Sequence, residues 1–108
     1  MRKKSIKIPI YFGKLTFVIT DDFKKVDKVF KTEIGNKNYD GVFFEMQDEY
    51  VIALKKTDIS VIAHECVHAV NAIYLNCHIE LDRVNDEPQA YLMGWIIGEL
   101  DKFIKETK

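Results

Sequence analysis

Apolar and polar residues alternate at the start of the chain. Ile6, Ile8 and Ile10 are separated by Lys7 and Pro9, and Leu15, Phe17 and Ile19 resume the same period after Gly13-Lys14. A period of two is the signature of a half-buried strand, so residues 5–20 read as a β-hairpin turning at Gly13-Lys14. Pro9 has no N–H to give to a ladder, which places the first strand at a sheet edge or puts Pro9 at a strand end. The period then changes. Thr20-Asp21-Asp22 offers capping oxygens to a short helix on which Phe23, Val26, Val29 and Phe30 share a face.

Gly35-Asn36-Lys37-Asn38 is a loop. Val42-Phe43-Phe44 and Tyr50-Val51-Ile52-Ala53-Leu54 flank the polar Gln47-Asp48-Glu49 and read as a second hairpin. Thr57-Asp58 then caps a helix running to about Leu75, with Ile59, Ile62, Val67 and Val70 among its apolar positions. Asn76 to Asn85 is a connector. A last helix runs from Asp86 to about Lys105, opening on Asp86 and Gln89 as a capping-box pair. Strands first and long helices last predict an α+β fold: a small, mostly antiparallel sheet of about four strands, with the helices packed on one face.

At 108 residues the chain is one domain, 1–108, and its 47% hydrophobic content supports a single core. The formal net charge of −1 excludes a generally basic nucleic-acid binder. Charge is uneven, however. Residues 1–31 hold nine Lys or Arg against three Asp, while residues 32–101 hold four against thirteen Asp or Glu. The basic start reads first as a solvated lysine face. A weaker reading, with Tyr11 and Phe12 as stacking partners, is contact with nucleic acid. Cys66 and Cys77 are too few for a disulfide scaffold, and no secretory signal or membrane-spanning run is visible. The expectation is a cytoplasmic protein with free thiols.

One motif carries chemistry. Residues 64–68 read His-Glu-Cys-Val-His, inside the predicted 57–75 helix. Four residues apart, His64 and His68 leave one helix face a turn apart, the spacing with which two imidazoles hold one Zn²⁺. Glu65 sits one position round the helix, placed to act as general base on an attacking water. Cys66 and Val67 are expected to point away and pack on the sheet. A catalytic zinc takes three protein ligands, and the pattern with Gly at 71 and His at 74 is absent, since Asn71 and Tyr74 stand there.

The third ligand is therefore sought beyond the helix. His78 and Cys77 follow its end, and reaching back from Cys77 needs a sharp reversal. Among the carboxylates Glu80, Asp82, Asp86 and Glu87, the choice favours Glu87, with Asp86 better used as an N-cap. Pro88 disfavours α backbone at Glu87, so this residue can sit at the cap. Asn71 lies on the histidine face and could orient an imidazole, or simply be a polar position at the cleft edge. Tyr91 reads first as a core aromatic; facing the metal, it could donate to the oxyanion of a tetrahedral intermediate. Tyr74 has a weaker claim to that role. Tyr91, Trp95, Ile96, Ile97, Leu100 and Phe103 are the expected core of the last helix.

The run Val61-Ile-Ala-His-Glu-Cys-Val-His-Ala-Val-Asn71, with Asn85-Asp-Glu-Pro-Gln-Ala-Tyr-Leu-Met-Gly-Trp95 and the N-terminal Ile-Pro-Ile-Tyr-Phe-Gly-Lys-Leu, resembles the small phage-encoded zinc metallopeptidases. These are minimal relatives of the ImmA/IrrE-like peptidases within the gluzincin group. The resemblance implies a zincin-like domain binding one Zn²⁺ through His64, His68 and Glu87, with Glu65 catalytic and a peptide or protein as substrate. It also implies that the substrate pairs with an edge strand, the candidate being residues 50–55. Two departures stand out: these 108 residues do not include the separate DNA-binding or regulatory region often joined to ImmA/IrrE-like peptidases, and Tyr91 replaces the Asp that many gluzincins place four residues after the ligand Glu. The competing expectation is a zinc-binding interaction module with little turnover.

Overall fold

The computed structural model describes residues 1–106. It is α+β: strands β1 (Arg2–Lys7) and β2 (Lys14–Ile19), helix α1 (Phe23–Phe30), strands β3 (Gly41–Met46) and β4 (Glu49–Leu54), then helices α2 (Ile59–Asn76) and α3 (Glu87–Glu106). The sheet order is β1-β2-β4-β3. Both hairpins are antiparallel, and they join through a parallel β2–β4 pairing in which Phe17 stands opposite Ile52.

Two expectations are corrected by this arrangement. Residues 50–55 do not form an edge: β4 is central, and the edges are β1 and β3. Helices also cover both faces rather than one. Leu15, Phe17, Tyr50, Ile52 and Leu54 pack with α2 and α3, while Val18, Val51 and Ala53 pack with Phe23, Val26 and Phe30 of α1. The apolar run Tyr50–Leu54 and the buried run Leu15–Val18, polar only at Thr16, are the physical reason, since a strand buried on both faces does not alternate with exposed polar positions. Val29 is half exposed, off the buried stripe of α1.

The first strand lies earlier than its isoleucines suggest. It ends at Lys7, and residues 8–13 form the hairpin loop. Ile8 remains buried beyond the strand end, but Ile10 is turned outward at φ +71°. Pro9, outside the ladder, fixes its own φ and ends the pairing.

Helix α2 stops without a glycine. The Ile79 N–H bonds to the Tyr74 carbonyl at 2.9 Å and the His78 N–H to that of Leu75 at 3.1 Å, with His78 left-handed at φ +58°. This is a Schellman cap with histidine where glycine is usual. His78→Gly should accordingly raise unfolding stability by about 1 kcal/mol, read by chemical denaturation. No gain would mean that the left-handed position carries no strain.

In α3 the buried stripe is Leu92, Ile96, Leu100 and Phe103. Trp95 and Ile97 are half-buried against it. Among the described residues no helix is long and apolar enough to cross a membrane.

Candidate metal centre and cleft

At about 100° per residue, Cys66, Ala69, Val70 and Ile73 place the buried arc of α2 against the sheet and α3. His64 and His68 fall on the opposite, solvent-facing side. Glu65 lies at the edge of the buried arc and is only 6% exposed. Cys66 packs inward as expected, whereas Val67 stays 47% exposed because it falls just past the other edge of that arc. Burial pushes the Cys66 thiol up to about 12, and both cysteines are free.

The two imidazoles converge. Their Nε2 atoms are 3.3 Å apart, with ring centroids at 4.9 Å and the planes nearly perpendicular. Two ligand atoms bound to a tetrahedral ion at about 2.0–2.1 Å stand about 3.3–3.4 Å apart. The pair thus fits two corners of such an ion.

Glu65 shares a cleft of ≈ 290 Å³ with both histidines, walled by Tyr39, Gly41, Val42 and Phe43. Burial raises its carboxyl above the ordinary carboxylate range, and the two imidazoles act in the opposite sense.

Three wall residues carry no motif signal. Gly41 starts β3 hard against α2: a Cβ there would lie 2.7 Å from Val61 Cγ1, 3.0 Å from Leu54 Cδ2 and 3.2 Å from Glu65 Cγ. Phe43 stacks on His68 at 6.4 Å and 23°, and on Tyr50 at 6.4 Å and 19°. Asn76 fixes the far end of this stack, donating to the Tyr50 hydroxyl at 2.8 Å and to Glu45 at 2.6 Å. Tyr39 is half exposed at the mouth. The Asp40-Gly41 step before an apolar run was the only available hint of the close approach.

The structure does not bring the remaining candidates to the imidazoles. Glu87 opens α3 and is exposed, about half a turn round the helix from the Leu92/Ile96/Leu100/Phe103 stripe, and it does not line the cleft. Tyr91 is 75% exposed and lines a different groove, beside Tyr11 and Trp95. It is neither core nor positioned for an oxyanion, because its direction on α3 diverges from the buried stripe. Asp82 is occupied in its own loop, accepting from the N–H groups of Val84 and Asn85, which hold its carboxyl below the usual range.

The Asp86/Gln89 capping box is also not formed as expected: the Gln89 side chain accepts from the Asp82 N–H at 3.3 Å. Tyr74 is buried against Tyr11, at a ring distance of 5.8 Å. Asn71, His78 and Glu80 are exposed, and Cys77 faces a separate pocket with Glu45 and Tyr50. Among the described residues no three His, Cys, Asp or Glu side chains are grouped to hold a metal ion.

Family models, curated proteins and solved structures give no match to this chain. Any functional reading therefore rests on its own residues.

Proposed function

We propose that the protein is a zinc-dependent peptidase with a minimal zincin-like domain, cutting a peptide or protein substrate in the cleft between α2 and β3. The observation that carries the reading is the 3.3 Å approach of the His64 and His68 Nε2 atoms beside a recessed Glu65. His64 and His68 would hold the ion. Glu87, assigned on sequence spacing, is the proposed third ligand; it opens α3 on the side away from the packed stripe, so reaching the pair requires the first turn of α3 to rearrange. An ion held there would supply Lewis-acid polarisation of a carbonyl and a lowered pKa for water.

The chain's own residues supply the rest. Glu65, partly desolvated and adjacent to the imidazoles, takes the proton of the attacking water and returns it to the leaving amine. Phe43, stacked on His68, holds that ring in place. The edge strand β3 carries Gly41, Val42 and Phe43 along the cleft, so an extended substrate can add to it by main-chain hydrogen bonds. This role moves from residues 50–55 to residues 41–46.

A second reading, a zinc-binding interaction module with little turnover, is favoured by one fact: among the described residues no three His, Cys, Asp or Glu side chains are grouped to hold a metal ion at the imidazole pair. Two experiments separate the readings. Incubating the zinc-loaded protein with a mixed peptide library, with and without chelator, should give chelator-sensitive cleavage products; their absence supports the module. Replacing Glu87 by Ala should weaken zinc binding at least tenfold, with Glu80→Ala and Asp82→Ala close to wild type. Equal effects of all three substitutions would remove Glu87 from the ligand set.

A further inference from the structure

We infer that the groove between the 8–13 loop and the start of α3 is a binding site for a proline-rich peptide segment carrying basic residues. It shares no wall residue with the cleft of His64 and His68, although Glu87, the proposed third zinc ligand, stands beside it in the chain at Pro88. Its walls are Pro9, Ile10 and Tyr11 on one side and Pro88, Tyr91 and Trp95 on the other, enclosing ≈ 320 Å³. That is at the lower end of ligand-pocket sizes, room for a few side chains rather than for a whole helix.

The near wall is held in place at a cost. The Tyr11 N–H bonds to the Pro9 carbonyl at 2.7 Å around Ile10, whose φ is +71°. A three-residue turn with positive φ at its centre is the rare, strained γ form, and a β-branched residue is the least suited to it. The turn leaves Ile10 93% exposed and the adjacent Phe12 86% exposed. Burial explains neither residue, and strain of this kind concentrates where a ligand is clamped.

The occupant follows from the lining and its rim. Flat aromatic faces with prolines between them suit a polyproline II segment, which has no internal hydrogen bonds and leaves its backbone to solvent. Trp95 and both tyrosines supply such faces. Asp86 and Glu87 adjoin Pro88 in the chain, both exposed, and neither makes an ion pair among the described residues. Unpaired carboxylates beside an aromatic groove complement Arg or Lys next to the prolines.

The test uses the full chain and a synthetic peptide of about ten residues with two Pro-x-x-Pro repeats flanked by arginine. Trp95 is the only tryptophan, so its fluorescence reports occupancy directly. Binding should saturate, weaken with salt and fall about thirtyfold in Tyr91→Ala, as for a central aromatic anchor. Ile10→Gly should raise the thermal midpoint by relieving the turn and at the same time weaken binding. Equal binding of a peptide with its prolines changed to alanine would overturn the proposal. So would unchanged affinity in both variants, or self-association of the chain through this face instead of peptide binding.

Discussion

Glu65→Gln is expected to leave zinc binding intact and to lower peptide hydrolysis by a factor of about 10²–10⁴, the usual contribution of a positioned general base. The substitution is nearly isosteric, so the 6% exposed side chain keeps its packing beside Gly41 and the imidazoles. Only the proton acceptor is lost. The carboxylate also sits partly desolvated, a state that an amide tolerates better than a charge, so the variant should be at least as stable as wild type. The check is a pair of measurements on one preparation: zinc per chain by elemental analysis, and initial cleavage rate. Hydrolysis persisting in the variant would remove Glu65 from the mechanism, and loss of zinc together with activity would make its role structural.

Gly41→Val carries the largest expected effect on the fold. The glycine has an ordinary backbone, so the constraint is space. Its missing Cβ would come within 3.2 Å of three side-chain atoms from Leu54, Val61 and Glu65. Strand β3 would have to move off α2, or Val61 and Glu65 would have to leave their rotamers. Overpacking of this sort costs about 1–3 kcal/mol, which for a domain of this size lowers the thermal midpoint by roughly 4–8 °C per kcal/mol. Because one of the crowded atoms is Glu65 Cγ, the base is displaced as well. The folded fraction should therefore lose activity beyond what unfolding explains. Circular dichroism against temperature and rates measured well below the midpoint distinguish the two losses. An unchanged midpoint would contradict the close α2–β3 contact.

The residues that announced themselves did so through period and spacing. The His64, Glu65 and His68 constellation was legible because helical geometry is rigid: residues four apart must share a face, and the apolar flanks fixed the helix. The element order was readable for the same reason. What escaped depends on which elements meet. Period two does not tell which hairpin strand is central, and the edge at residues 50–55 was implied by the family resemblance alone, although the unbroken apolar run Tyr50–Leu54 is the mark of two covered faces.

The position of α3 had a similar clue. Leu92, Ile96, Leu100 and Phe103 define its buried stripe, and Glu87 and Tyr91 lie well off it by simple rotation. Phe43 and Gly41 had no motif at all. Their roles come from a contact between segments about 25 residues apart, His68 with Phe43 and Glu65 with Gly41, of which local sequence carries no more than the Asp40-Gly41 step.

Zinc bound per chain is the central quantity, and isothermal titration with zinc of the wild type, His64→Ala and His68→Ala tests it most directly. The account predicts one zinc per chain in the wild type and loss of that binding in each variant, with folding retained because both imidazoles face solvent. No zinc bound by the wild type, or equal binding in the variants, would contradict it.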